Sequence, residues 1–566
     1  MRASDERKFA VLFGQAVEHH VRGRIPEALS LYDAIIRDYP DAAAVYCNRG
    51  LALQSLKRED AALQSYDRAI ALDSRHADTH YNRGILLRNM NRLIEAVESY
   101  DRAIKCNSEY ADAWSNRGNA LRALGRSADA LESFDRAVAL QPGFAIAHHN
   151  RGNSLQDLGL WSEAAASYGR AVAIRPDFAE AWCNRSNALR NLGQPDEALE
   201  SANRAVALSP DLADVHTSRA NALKDLRRFE QALESYDRAI CCNPRSADAY
   251  WNKSLCLLLM GDLGLGLRLY EWRKRVFDNW KSRSHARAEW SGRESIENRT
   301  LLIVADEQGL GDTIQFCRYA VLARQRGANV VLAVQDRLAA LLRSVGRSIE
   351  VTNMSSAIPR TDFQIALLSM PLAFETTLQN VPATVPYLAA ERHRVARWRA
   401  AMGDEGFKVG ICWRASPARS ADTDKSFPLR FFAPLAAIPG VRLINLQKYE
   451  GNEELGDLPP GMRVETLGND FDDGPDAFLD TAAVMEGLDL VIAPDTAVAH
   501  LAGALARPVW VALKYLPDWR WLLDRSDSPW YPTMKLFRQT KRGDWSDVFA
   551  AIESRLRTRL DAPARC

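Results

Sequence analysis

At 566 residues the chain is longer than one hydrophobic core serves, so two to four domains are expected. Its 73 basic and 72 acidic residues balance without a long basic run, which argues against a nucleic-acid partner. No segment nears the roughly 20 apolar residues of a membrane-spanning helix, though peripheral membrane contact stays open. The opening MRASDERKFAVLFGQ is charged and lacks a signal peptide's apolar stretch. The nine cysteines are scattered and form no CxxC pair, so the expectation is a reducing cytoplasm and buried thiols.

From about Phe9 the sequence repeats. Tyr32, Tyr66, Tyr100, Phe134, Tyr168, Tyr236 and Tyr270 are spaced by 34 residues or a multiple of it, with Ala202 in the gap. Arg49, Arg83, Arg117, Arg151, Arg185, Arg219 and Lys253 keep the same step. In one unit Trp114, Gly118, Leu121, Ala130, Phe134, Ala137 and Pro142 alternate large and small residues before a proline that no helix easily continues through. Period and pattern together resemble the tetratricopeptide repeat, a stack of antiparallel helix pairs. Small residues at Gly118 and Ala130 let paired helices approach, while Trp114 and Phe134 fill the space between units. Eight units are expected between Phe9 and Val276, the outermost two degenerate as capping repeats are.

An asparagine recurs on the first helix of the repeats: Asn48, Asn82, Asn116, Asn150, Asn184 and Asn252, with Ser218 breaking the run. A second column, Asn119, Asn153, Asn187 and Asn221, lies three residues further on. A carboxamide both donates and accepts, so such a column can bond a peptide backbone without reading its side chains. Neighbouring first helices lie roughly 10 Å apart, about three residues of extended chain. The alternative is that these amides cap or cross-link adjacent repeats. The column resembles the asparagine ladder of protein O-GlcNAc transferases, which implies a protein or peptide acceptor in the groove.

After LYEWRKRV the repeat stops. Residues 278–299 show no helical period and read as a linker packed on the next domain. From Thr300 short apolar runs alternate with amphipathic stretches. LLIVA (301–305), VVLAV (330–334) and QIALL (364–368) read as buried parallel strands of one lobe, spanning 300–395. VGICW (409–413), RLINL (442–446), LVIA (490–493) and VWVAL (509–513) read the same way in a second lobe, 396–566, which ends in a closing helix. The expected class is α plus α/β: a repeat solenoid over 1–277, then two doubly wound, Rossmann-like lobes. Ligands in such folds bind beyond the carboxyl ends of the strands.

Three motifs stand at such strand ends. In EQGLGDT, Gln308, Gly309 and Gly311 permit a tight strand-to-helix turn, and Asp312 follows near the helix start. The alternative is a plain turn with a capping Asp. In WRASPARSADTDKSFP, Arg414 and Lys425 can neutralise a phosphate, unless they are merely solvated. In APDTAVAHLAGA, Asp495 and Thr496 open a helix whose free N–H groups favour a diphosphate, and His500 shares the face of Thr496. The alternative there makes Asp495 an N-cap and His500 a satisfied helix residue. Gln447, after RLINL, reads equally as a nucleotide contact or a loop cap. Trp510, Trp519, Trp521, Trp530 and Tyr531 read as core packing rather than a membrane-facing patch.

Taken in order over about 300–545, these motifs resemble glycosyltransferase family 9, the ADP-heptose–lipopolysaccharide heptosyltransferases. EQGLGDTIQFCRY and SPWYP are similar to bacterial repeat proteins with such a tail. The resemblance implies a GT-B pair of lobes and an inverting transfer from a nucleotide sugar, without a metal or bound cofactor. It makes Asp312 the general base, places Lys425 on donor phosphate or sugar, and gives Asp495, Thr496 and His500 the diphosphate. Ala497 stands where that family has Gly, leaving the donor open. The acceptor is expected to be a protein or peptide; a surface polysaccharide or lipid-linked acceptor, or a non-catalytic scaffold, are the alternatives.

Overall fold

The computed structural model describes residues 3–277, 288–305, 309–356, 358–415, 424–448 and 450–561. The chain forms two compact units, Met1–Pro210 and Asp211–Cys566.

In the first unit twelve helices form six pairs, such as Ala43–Ser55 with Glu59–Leu72 and Ala111–Ala123 with Ser127–Leu140. The 34-residue step has a steric cause. A Cβ on Gly50, Gly84, Gly118 or Gly152 would lie 2.5 to 2.7 Å from the ring of Tyr66, Tyr100, Phe134 or Tyr168. The second helix's aromatic ring therefore occupies the space that a side chain on the first helix would need. Phe134 and its tyrosine counterparts are fully buried, whereas Trp114 is half-buried and donates its indole N–H to Ser108 O (3.0 Å). Trp114 thus trims the repeat's edge instead of filling the space between units.

The arginine column is an ion ladder. Arg49, Arg83 and Arg117 each donate Nε to the Asp 16 residues earlier and Nη1 to the Ser 16 residues later, at 2.6 to 2.7 Å. One charge so ties three consecutive second- and first-helix positions together. Arg185 keeps the serine, Ser201, but faces Gly169 where the four preceding units carry Asp.

The second unit opens with two further helix pairs, Ala213–Asp225 with Phe229–Cys242 and Ala247–Met260 with Leu263–Tyr270. Eight pairs are therefore described, but the boundary between compact units lies at Pro210, not at the expected 277. The reason is packing. Tyr270 meets Trp519 edge-on at 6.2 Å, and a Cβ on left-handed Gly261 would lie 3.2 Å from Leu378. Buried Arg273 joins Glu271 (2.7 Å) to Ser369 (2.9 Å), and Arg227 pairs with Asp524 (2.9 Å). The last repeats thus belong to the core of the lobes.

Two all-parallel sheets follow. The first is ordered β1-β5-β2-β3-β4, from Ala288–Glu289 (β1), Thr300–Val304 (β2), Asn329–Val334 (β3), Ile349–Asn353 (β4) and Phe363–Ala366 (β5). The second is ordered β11-β10-β9-β6-β7-β8, from Phe407–Ile411 (β6), Val441–Asn445 (β7), Val464–Glu465 (β8), Leu490–Pro494 (β9), Val509–Leu513 (β10) and Met534–Arg538 (β11). Counted within the lobe, that order is 3-2-1-4-5-6, the doubly wound dinucleotide arrangement. Every residue of β9 and β10 is buried, as strands covered on both faces must be. Helix Ser546–Asp561 covers one face through Val548, Phe549, Ile552 and Leu556. The expected linker is only partly a linker: 278–287 lie outside the described residues, while Ala288–Glu289 pairs with β5 and Trp290 is buried.

Strand order fixes where a ligand can sit. The order reverses between β6 and β9 in the second lobe and between β2 and β5 in the first. The loops leaving β2, β6 and β9 carry the three motifs.

Candidate functional site

Asp312 is the third residue of helix Leu310–Phe316, which starts after Gly309. Gln308 lies outside the described residues. Gly309 has φ −59°, so its freedom is not spent on an unusual backbone. Gly311 is needed for space: a Cβ there would lie 2.9 Å from His500 Cδ2 and 3.4 Å from Ala497 Cα. The turn of the first lobe is thereby pressed against the start of helix Ala497–Ala504 in the second.

That helix begins without a side-chain cap. Thr496 occupies the cap position, but its hydroxyl turns back to Pro494 O (3.3 Å), so it leaves the first-turn N–H groups alone. Asp495 is not the N-cap. Its carboxylate lies between Lys425 Nζ (3.3 Å) and His500 Nε2 (3.7 Å). Burial pushes the Asp495 carboxyl up, but Lys425 and His500 outweigh it and hold it well below the usual carboxylate range. His500 is itself buried, stacked on Trp521 (5.3 Å between centroids) and bonded through Nδ1 to Tyr531 Oη (3.1 Å). With Asp495 neutralised by Lys425, the helix start still presents its partial positive charge.

Two expected donor contacts are placed otherwise. Arg414 binds Glu454 through Nε (2.9 Å) and Nη2 (2.8 Å), and Glu454 also accepts the Leu429 N–H (2.7 Å). Arg414 thus braces its own loop. Gln447 Oε1 accepts the N–H groups of Trp413 (3.1 Å) and Arg414 (2.9 Å), which is the loop-cap alternative. Residues 416–423 of that loop lie outside the described residues.

The asparagine column is half-buried and mostly self-satisfied. Asn116 donates to Tyr81 Oη (2.9 Å) and accepts from Arg88 (2.8 Å), while Asn184 donates to Asn153 Oδ1 (3.1 Å) and meets His149 Nε2 (3.0 Å). Asn48 and Asn252 each bond a carbonyl one turn back, both at 2.9 Å. Asn116 and Asn184 follow the cross-linking alternative, whereas Asn48 and Asn252 bond back within their own helix. Asn82 and Asn150 bond the side chains of Cys47 and His149. In the second column Asn153 and Asn221 are structural too, accepting the hydroxyls of Tyr168 (2.7 Å) and Tyr236 (2.6 Å).

Several residues escaped the sequence reading. Arg520, buried, pairs with Asp312 Oδ1 through Nη2 and with Asp518 Oδ1 through Nη1 (2.8 Å). Its plane lies near the rings of Trp519 (4.8 Å) and Phe316 (5.1 Å). Burial alone would weaken its charge, but Asp518 and Asp312 more than compensate and raise its pKa. Burial also pushes the nearby Tyr270 phenol up to about 12. Arg318 donates to Pro382 O and Trp530 O (both 2.8 Å) and to Tyr387 Oη (2.8 Å), tying the first lobe to SPWYP. The only signal for either arginine was a cation set among aromatics, as in Asp518-Trp519-Arg520-Trp521. Trp510, Trp519, Trp521, Trp530 and Tyr531 are all buried, in line with core packing.

Comparison with known proteins separates the two halves. Tetratricopeptide repeat models match residues 43–76, 81–143, 149–213 and 217–271. The model of glycosyltransferase family 9 (heptosyltransferase) matches 324–513. That span holds Lys425, Asp495, Thr496 and His500 and starts beyond Asp312. Protein FlbA of Caulobacter vibrioides is 27% identical over 326 residues, covering 54% of each chain. The chain therefore spans about half the length of this curated relative. Among solved structures, YrrB, described as a TPR protein with an unusual peptide-binding site, is 25% identical over 35% of this chain and 97% of its own, with a TM-score of 0.31. MamA is 22% identical over 29% of this chain and 96% of its own, with a TM-score of 0.28. No described helix is long and apolar enough to cross a membrane.

Proposed function

Starting from a chain that joins tetratricopeptide repeats to a glycosyltransferase family 9 domain, we propose that it moves a sugar from a nucleotide-sugar donor to a protein or peptide acceptor, by single displacement in a GT-B cleft. The observation that carries this reading is the approach of Gly311 to Ala497, which sets Asp312 beside the group formed by Lys425, Asp495 and His500. In the proposed step Asp312 takes the proton of an acceptor hydroxyl as its oxygen bonds to the anomeric carbon. The bond from that carbon to the phosphate oxygen breaks, and configuration inverts. Charge builds on the departing nucleoside diphosphate. On this reading Lys425 and the N–H groups after Thr496 stabilise it. The charges this step needs come from side chains and backbone, so the proposal includes metal independence, tested by turnover in EDTA.

The acceptor part rests on the repeats being a protein-binding architecture, since four of the asparagines are already engaged within their own stack. The reaction takes place in the cytoplasm on this reading. A polysaccharide or lipid-linked acceptor is the rival; intact-mass analysis of co-expressed candidate proteins separates the two by an added hexose, heptose or N-acetylhexosamine.

The test of the transferase is Asp312→Asn. Thermal stabilisation by a panel of ADP- and UDP-linked sugars is expected to survive, while turnover falls by about 100-fold to 10,000-fold. Unchanged turnover would remove Asp312 from the mechanism.

A further inference from the structure

We infer that Arg520 is the positioning residue for Asp312, holding the carboxylate in the orientation the reaction needs, and that the terminal repeat braces Arg520 in turn. The inference rests on the transferase reading above and deepens it. Three observations converge. First, among the described residues Arg520 is the group that binds the Asp312 side chain, and it takes only Oδ1. Oδ2 is left to accept a proton. Second, Arg520 cannot wander. Asp518 Oδ1 accepts both its Nη1 (2.8 Å) and its backbone N–H (3.0 Å), so one carboxylate pins the two ends of the residue. The guanidinium is buried against the rings of Trp519 and Phe316, which stack on each other at 6.3 Å. Phe316 belongs to the same short helix as Asp312, so cation and carboxylate are fixed to one element from two sides.

Third, the wall behind Arg520 is made by the repeats. Trp519 is backed by Tyr270, the last residue of helix Leu263–Tyr270, which is 7% exposed. Arginine suits this post where lysine does not. A planar fork reaches two carboxylates at once and stacks on aromatic faces, whereas an ammonium is a single strongly hydrated point. The arrangement assigns the terminal repeat a share in the geometry of the reacting carboxylate. A lobe pair deprived of that repeat would lose more than solubility.

Arg520→Ala and Arg520→Lys test this in the full-length chain, with nucleoside diphosphate released from the ADP- and UDP-sugar panel as readout. The expected result for Arg520→Ala is a fall in kcat of about 10-fold to 100-fold with donor KM unchanged, reversed in part by added guanidinium chloride below denaturing concentration. Should Arg520→Ala fail to fold, Arg520→Lys carries the test: its charge remains but the two-carboxylate fork does not, so kcat still falls with KM intact. A kcat at wild-type level in the folded variant overturns the inference and leaves the transferase reading standing. Wild-type protein that neither binds nor turns over any donor sinks both. A crystal structure of Arg520→Ala with ADP decides the point without turnover. Asp312 is expected to leave its present rotamer there, and an unmoved carboxylate refutes the role.

Discussion

Two glycines in one turn illustrate how differently a residue type can be used. Gly309 has an ordinary backbone, and the nearest group to a Cβ there is Asp312 Oδ2 at 3.8 Å. At Gly311 the same atom would lie 2.9 Å from His500 Cδ2. That ring cannot give way, because Tyr531 holds one side and Trp521 covers a face. Gly311→Ala is therefore expected to cost about 1–3 kcal/mol through overpacking and to reduce turnover, and Gly309→Ala less than about 1 kcal/mol. Urea titration of both variants checks the ordering. A Gly311→Ala protein as stable and active as wild type would show that the helix starts need not touch. In the sequence both glycines looked like turn formers. Nothing local distinguishes a glycine chosen for φ from one chosen for space, since the second depends on a partner 189 positions away.

Elements were legible in proportion to how fully they are buried. The 34-residue step was plain, because successive units solve the same contact between a small residue and an aromatic ring, with glycine in four of them. Seven strands were expected, and each has its counterpart in the two sheets. Those without an expectation are β4 and β11, whose exposed positions interrupt the apolar run, and the two-residue β1 and β8. The asparagine column was legible as a column but not as a role. A carboxamide that can bond a peptide can equally bond Tyr81 or Asn153, and only the neighbouring helix decides. The ion ladder offers a direct measurement at this scale. Gly169 interrupts it, and a Cβ there has its nearest neighbour, Arg185 Nε, 3.7 Å away. Gly169→Asp is expected to restore the pair with Arg185 and remove a helix-interior glycine, stabilising the repeats by about 0.5–1.5 kcal/mol. A lowered urea midpoint would contradict that account.

At the scale of the molecule, the repeat period and the compact units do not end together. The period runs to Tyr270, whereas the second unit begins at Asp211. A chain starting at Asp211 is expected to melt in one transition. One starting at Ala288 keeps both sheets but uncovers Trp519, Leu522 and Ser369, and loses the bonds of Arg273 and Arg227. It should precipitate or melt lower by about 5 °C or more. Equal melting temperatures would mean that the last repeats merely lean on the lobes.

The sequence by itself determined the helical repeat, the alternating strands and the strand-end motifs, because each is set by residues within one turn, one strand or one repeat period. It also supplied Asp495 and His500 together, since a strand end and the helix after it are neighbours along the chain; Lys425 joins them only because β6 pairs with β9. The partner of Asp312, the use of Gln447 and Arg414, and the membership of the last repeats were decided by tertiary structure alone. Arg520 reaches Asp312 across 208 positions, and a buried cation beside aromatic rings acquires its meaning only from the carboxylates that folding brings to it.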